Sequence, residues 1–346
     1  MRYEHATIIK LRKRMISMHA RKALLSLAIL AALSGSAMAD SSTVNTTQDG
    51  TSNSLNAEQQ GATQSTVNIN QTGTRNGAGA LQSATYSTLN INQNGFSNFT
   101  SAKQAGNKNT ATVTQKGGGS SLPQVAELDQ SGSYSTATIA QDNNNRTNAS
   151  ITQGGGSNNA ASLYQANNST IVGGGITQSG SYNVGNLTQQ NNNNTVTGSV
   201  TQSGNGNTGT VSQQHNSIRV SAILQQNGNS NTGSIQQTDT QLSSASMLQS
   251  GDFNTATLYQ TGYGMKGDLQ QRGNNNFSSS TQTGSFNEET LLQTGNNNRA
   301  VVSQTGLGGA VSGSTNLVGV TQTGNNMVAN VSQTGGSGNT ATIYQH

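Results

Sequence analysis

Glutamine recurs along this chain at a fixed step of eleven residues, and that step limits the available folds more than any other feature. It stands at 71, 82, 93, 104 and 115, and again at 249, 260, 271, 282, 293 and 304. A Gly two residues on and an Asn five residues on extend it to Q-x-G-x-x-N. The full motif begins at Gln48, Gln71, Gln93, Gln104, Gln153, Gln178, Gln202, Gln226, Gln249, Gln271, Gln282 and Gln293. From Gln178 it returns after 24, 24, 23, 22 and 22 residues, so a longer unit of one strong and one weak arc sits above the eleven. In the weak arcs His215 and Asp239 stand where Gly is expected, and Met265 replaces Asn. A fixed period of this kind marks a repeat architecture, in which each unit buries its face only against its neighbours.

Within an arc the residues alternate. Asn109-Thr-Ala111-Thr-Val113-Thr-Gln115 puts Asn, Ala, Val and Gln on one face and three Thr on the other; Asn254 to Gln260 and Asn339 to Gln345 repeat it. A period of two with β-branched residues predicts a strand, and the Gly among polar neighbours a turn. The chain is therefore expected to be all-β, a single elongated β-solenoid resembling a parallel β-helix. Two strand-turn arcs make each coil of about 22–24 residues, and about 13 coils fit between Gln48 and Gln345. Coils stacked at about 4.8 Å line equal residues up in columns, where amides donate and accept along the stack. The expected ladder glutamines are Gln71, Gln93, Gln104, Gln115, Gln178, Gln202, Gln249, Gln260, Gln271, Gln282, Gln293 and Gln304. The expected ladder asparagines are Asn76, Asn98, Asn109, Asn183, Asn207, Asn254, Asn276, Asn287 and Asn298. Turn glycines are expected at Gly73, Gly95, Gly106, Gly180, Gly204, Gly251, Gly273, Gly284 and Gly295.

Composition agrees with a ladder core. Only 30% of residues are hydrophobic and 8% charged, with 42 Gly, so neither an ordinary apolar core nor charge-driven disorder suits the chain. The absence of Cys rules out disulfides, thiolate metal sites and a Cys nucleophile. The formal charge of +4 misleads, because residues 1–39 hold 7 of the 16 Lys and Arg and 1 of the 12 acids. The remainder is net −2, which argues against nucleic acid as a partner. Arg21 and Lys22, the apolar run Ala23 to Leu33 and Ala37-Met38-Ala39 have the pattern of a secretory signal peptide. Residues 1–39 are read as this signal with an extended basic region (Met18 being an alternative start) and cleavage after Ala39. Residues 40–346 are read as the solenoid, with no membrane insertion after cleavage. The rhythm breaks near 116–129, which holds Pro123, near 166–177 around Gly173-Gly174-Gly175, and near 305–321, each read as an enlarged turn loop.

A tandem Q-x-G-x-x-N-x-A-x-x-x-Q arc resembles the curlin repeat. Gln104, Gly106, Asn109, Ala111 and Gln115 match it, as do Gln249, Gly251, Asn254, Ala256 and Gln260, and the likeness extends over 48–345. The resemblance implies a curli subunit, exported through an outer-membrane secretion pore and polymerised with copies of itself at the cell surface for adhesion and biofilm matrix. It implies a curli-type nucleator as a further partner, or that this chain is itself the minor, nucleating subunit. The chain departs from the familiar subunits in having many more arcs and in lacking their Gly-rich targeting segment, since Gln48 comes eight residues after Asp40. No polar cap is evident at either end of the repeats, and open solenoid edges add further strands.

The residues bear on other functions too. A β-helix polysaccharide-active enzyme needs a cluster of acid and base groups. Glu288-Glu289, Glu127 with Asp129, and His215 are the candidates, and none has an evident catalytic partner; Glu288 and Glu289 replace Thr and Ala, which turns one of them inward. An ice-binding face would need rows like Thr110/Thr112/Thr114 throughout, but they become Arg299/Val301/Ser303 and Phe277/Ser279/Thr281. The Gly triplets at 117, 154 and 173 lack the Asp of calcium-binding repeats, so no metal or other cofactor is expected. Turn aromatics Tyr134, Tyr182, Phe253 and Phe286 either pack on the turns or stack along an edge. Lys103, Asp142, Asp252 and Arg272 serve solubility or interrupt aggregation-prone runs.

Overall fold

The alternation of small and aliphatic residues on one face of each arc produces strands throughout. The computed structural model describes residues 41–118, 123–307 and 315–346; the signal segment expected at 1–39 lies outside them. Among the described residues every regular element is a strand, from β1 (Thr43–Thr51) to β26 (Thr340–Gln345). Odd-numbered strands form one 13-stranded sheet and even-numbered strands another. Neighbours within each sheet run parallel, so the chain winds through thirteen coils of two strands each. The all-β solenoid expected from the period is the observed fold.

The core lies between the sheets, and most strands give it one small and one aliphatic residue. Ala111 and Val113 stand over Ala137 and Ile139; Ala222 and Leu224 stand over Ala245 and Met247; all are at most 2% exposed. The sheets interlock because a small residue on one faces a large residue on the other. A Cβ on Gly233 would lie 2.6 Å from Leu224 Cδ1, and one on Gly267 2.9 Å from Leu258 Cδ1. Burial of one such aliphatic side chain stabilises by about 1.5–3 kcal/mol, realised only when a coil has neighbours above and below.

Coil length is absorbed in one corner. Where coils have 22 residues, β21 (Phe277–Ser285) passes to β22 (Asn287–Thr294) through Phe286 alone. Where they have 24, β13 (Val184–Gln190) reaches β14 (Val196–Ser203) through five residues, with Asn191 and Asn194 at φ 53° and 64°. Val172, Val196 and Val220 line this widened corner as a small apolar cluster of their own.

Three expectations need correction. The loop placed at 116–129 is shorter, because β8 (Gln124–Ser133) begins at Gln124 and resumes the inward alternation with Ala126 and Leu128. The segment 166–177 is not all loop: β12 (Val172–Ser179) carries the glycine triplet in strand conformation. Gly174 points inward, where a Cβ would sit 3.0 Å from Leu187 Cδ2, so the glycine is there for space and not for a turn. The insert at 305–321 narrows likewise, with β23 (Arg299–Leu307) ending and β24 (Asn316–Thr323) starting inside it.

The turn glycine and its neighbour two residues on behave differently. Gly204 has φ 107°, and a Cβ there would lie 2.1 Å from the carbonyl oxygen of Gly228 in the next coil. Gly206, at φ 67°, has nothing nearer than Ser230 Oγ at 3.5 Å, and Tyr182, Ser230 and Phe253 hold the same corner in other coils at φ 55–59°. Gly204→Ala is therefore expected to destabilise the fold by about 2 kcal/mol or more. Gly206→Asn should change it by no more than about 1 kcal/mol, since Asn tolerates the left-handed conformation and the space is open. Denaturant midpoints of the two variants check this; equal losses would remove the steric account of the motif glycine.

Candidate functional site: the amide ladders and their open ends

Each strand ends its inward face on a glutamine, and strand register places that glutamine on the glutamine of the next coil. In the odd sheet Nε2 of each Gln donates to Oε1 of the next, from Gln48 through Gln71, Gln93, Gln115, Gln141, Gln165, Gln189, Gln213, Gln237, Gln260, Gln282 and Gln304 to Gln333, at 2.6–3.2 Å. In the even sheet the same column runs from Gln59 through Gln82, Gln104, Gln130, Gln153, Gln178, Gln202, Gln226, Gln249, Gln271, Gln293 and Gln322 to Gln345, at 2.7–3.0 Å. Neither ladder is broken. Members from Gln71 to Gln304 and from Gln82 to Gln322 are at most 2% exposed.

The second Nε2 proton ties the two sheets together. Gln178 donates to the carbonyl of Ala160, Gln189 to Gly173, Gln202 to Val184 and Gln213 to Thr197, at 2.9–3.0 Å, each acceptor lying in the opposite sheet. Both protons of each of these amides are thus used and its oxygen accepts from the coil before. An unpaired buried amide group costs about 1–3 kcal/mol, so the column makes burial of these residues affordable.

The asparagines do a related task at the corners. In the turn after each even strand, Oδ1 of Asn183 accepts the backbone N–H of Asn207 at 3.0 Å, while its Nδ2 donates to the carbonyl of Gly204 at 2.8 Å. Asn109, Asn207, Asn254, Asn276 and Asn298 stand in this same column and bond to the next coil in the same way. The carbonyl that a side chain on the turn glycine would strike is the one the asparagine grips. Asn76, Asn98 and Asn287 stand in the other corner, where Asn98 N–H donates to Asn76 Oδ1 at 3.2 Å and Asn316 Nδ2 to Asn287 Oδ1 at 3.0 Å. The column stops at Asn98, whose Oδ1 has no partner, because Gln124 follows there after the loop. The turn glycines divide in the same manner, Gly73, Gly95 and Gly284 in one corner and Gly106, Gly180, Gly204, Gly251, Gly273 and Gly295 in the other; all have positive φ.

Two features escaped the sequence reading. Q-x-G-x-x-N at Gln153 suggests Asn158 as the ladder residue, but a register shift between Gly154 and Ser157 puts Asn159 there, with Oδ1 accepting from Asn183 N–H at 3.0 Å. In the 24-residue coils a further column stands three residues after the glutamine: Asn144, Asn168, Asn192 and Asn216, continued by Thr240. The signal was present as Q-x-x-N in the weak arcs, where His215 and Asp239 take φ 54° beside it.

The residues weighed for other chemistry do not converge. Glu288 is paired on the outer face with Lys266 at 2.5 Å, which raises the lysine pKa. His215 lies 3.9 Å from Asp239 in an exposed corner, and Glu127 and Asp129 are on the outer run of β8 with Asp129 beside Lys103. Glu289 turns inward. Lys108 Nζ lies over Tyr134, 4.9 Å from the ring centroid, and Phe286 meets Tyr263 edge-on at 5.2 Å, so these two turn aromatics have partners along the corners; Tyr134, Tyr182 and Phe253 are all more than half exposed. Among the described residues no group of three or more His, Cys, Asp or Glu could hold a metal.

Among the described residues the strands paired on one side are β1 and β2 (Ser54–Gln59) at one end of the sheets and β25 (Val328–Thr334) and β26 at the other. The ladders make these ends chemically distinct. Oε1 of Gln48 and of Gln59 is the acceptor terminus; Nε2 of Gln333 and of Gln345 is the donor terminus, each with one proton on a carbonyl (Leu317 at 3.1 Å, Val328 at 2.9 Å).

Breaking a ladder in mid-stack is expected to cost more than its contact area suggests. Gln202→Leu leaves a donor on Gln178 and an acceptor on Gln226 buried without partners, and should destabilise by about 2 kcal/mol or more. Gln225→Leu, on the exposed outer face of the next coil, should stay within about 0.5 kcal/mol. Equal effects in chemical denaturation would show that the ladder contributes nothing specific.

No curated protein matches the chain. Residues 87–117, which hold Gln93, Gln104 and Gln115 and so span consecutive arcs of both sheets, match the family model of the curlin associated repeat.

Proposed function

We propose that the chain is a secreted subunit that polymerises head to tail into extracellular curli-type fibres, for cell adhesion and biofilm matrix. The carrying observation is the shared polarity of the two ladders, donor at one end of the stack and acceptor at the other. Laying Gln333 over Gln48 also lays Gln345 over Gln59, and both amide columns then continue with the 11-residue step of the first coil and the 12-residue step of the last. One corner follows suit: Asn339 Oδ1 takes the place that Asn53 Oδ1 fills for Asn76 N–H within the chain, at 3.0 Å. Strand addition to an open edge supplies backbone bonds as well, and a contact between two different ends of one molecule does not close on itself, so it yields a filament. The curlin match and the signal expected up to Ala39 support the cell-surface setting. Polymer formation is the activity in this reading, and the ladders carry it.

The natural absence of Cys makes a direct test possible. Thr47 and Ser332 are exposed and stand one residue before Gln48 and Gln333, so the joint brings them side by side, at a separation a disulfide spans. Mixed Thr47→Cys and Ser332→Cys proteins are expected to assemble into fibres and to cross-link in pairs under mild oxidation, while neither variant cross-links alone. Dimers from Thr47→Cys alone would overturn the head-to-tail joint, and a protein that stays monomeric at tens of micromolar would overturn the fibre itself.

A further inference from the structure

Coil eleven departs from its neighbours in a concerted way. In coil ten Leu258 of β19 (Thr255–Tyr263) packs on Gly267 of β20 (Lys266–Arg272), large against small. Strand register puts Ser280 on Leu258 and Glu289 on Gly267, so coil eleven exchanges the two sizes across the core and makes both polar. Ser278 likewise replaces Ala256. Glu289 is fully buried, and the Ser280 hydroxyl donates to its Oε2. Its Oε1 and the Ser278 hydroxyl have no partner.

Nothing nearby compensates a charge at this point. Inward neighbours on the strands packed against β22 are Gly267, Leu269, Val318, Val320, Ala300 and Val302, and none titrates. The charged residues of those strands, Lys266, Asp268, Arg272 and Arg299, and Glu288 of β22 itself, lie on the outer face. A carboxylate held by one hydroxyl in an apolar interior is far more costly than the neutral acid, which asks for fewer hydrogen bonds.

We propose that coil eleven is a proton-coupled latch: it closes only when Glu289 enters the core as the neutral acid, so closing takes up one proton from solvent and raising the pH opens it. The inference rests on the fold and not on fibre formation. Desolvation pushes the Glu289 pKa up to about 8 from 4.5, opposed in part by the Ser280 hydrogen bond. The acid is raised in the folded state, so its contribution is fully present below pH 4.5 and is lost as pH rises through about 8. Across that window the folding equilibrium constant should fall about tenfold per pH unit, or about three-thousand-fold in all.

The test compares full-length wild type with Glu289→Gln and with Glu289→Ala, which restores the small residue of the same column in other coils. Denaturant titrations from pH 5 to 9 are expected to give the wild type this slope relative to both variants. Infrared spectra of the wild type at pH 7 should contain a protonated carboxyl band that Glu289→Gln lacks. Parallel pH profiles in wild type and variants, or an ionised Glu289 at pH 7 in the folded protein, would overturn the latch. The infrared arm needs no variant to be more stable than the wild type, and neither arm needs fibres.

Discussion

An amide-to-amide hydrogen bond, repeated along an axis, is the interaction on which this structure depends. The space between the sheets takes two small or aliphatic residues per strand, and the third inward position is a glutamine that cannot reach water. An amide offers two protons and an oxygen. Only a neighbour of the same kind in the next coil, together with a carbonyl across the core, satisfies all of them at once. A polar core is tolerable when every member is paired and worse than an apolar one when some are not. The glutamine columns meet that condition in every interior coil except at Gln130, whose Nε2 donates to Gln153 alone.

The same condition explains why coil length varies and register does not. Successive ladder glutamines are 22, 23, 24, 25, 26 or 29 residues apart, yet each lands on its partner. Extra residues fall between strands, as five-residue turns beside Asn192 or within the longer connections that precede Gln124 and Asn316. A slip of one residue would turn an entire strand inside out and bury its threonines. The register shift at Gly154–Ser157 shows the preference directly: the strand distorts locally so that Gln153 and Asn159 both stay in their columns.

Period and alternation made the fold legible, because a ladder demands the same residue at the same place and therefore writes itself into the sequence. The two strands per coil, the coil number near thirteen and the inward positions of Gln104, Asn109, Ala111 and Gln115 follow from spacing alone. Legibility failed where one residue type served two purposes. Glycine marks turns at Gly204 but makes room at Gly174, and only the opposing Leu187 distinguishes them. Asparagine holds corners at two offsets, +5 after Gln202 and +3 after Gln189, so no single motif marks both columns. Glu289 could be suspected of facing inward, but its meaning required Ser280, nine residues earlier and on the other sheet, which no local pattern connects to it.

The end coils show what the stack gives each interior member. Val44, Leu55, Ala57, Ala341 and Ile343 occupy core columns and yet are only partly buried, while their counterparts one coil inward are nearly or fully enclosed. Gln48 and Gln345 belong to the ladders but keep contact with water. In a structure held by nearest-neighbour terms, an end coil bears the same chain-ordering cost as a middle one and recovers about half the contacts. Stability is therefore lowest at the two edges and grows with every coil that is added to them. The residues that would gain from further stacking are the same ones whose hydrogen bonds define a donor end and an acceptor end, so any extension that satisfies them must preserve the direction of the chain within it.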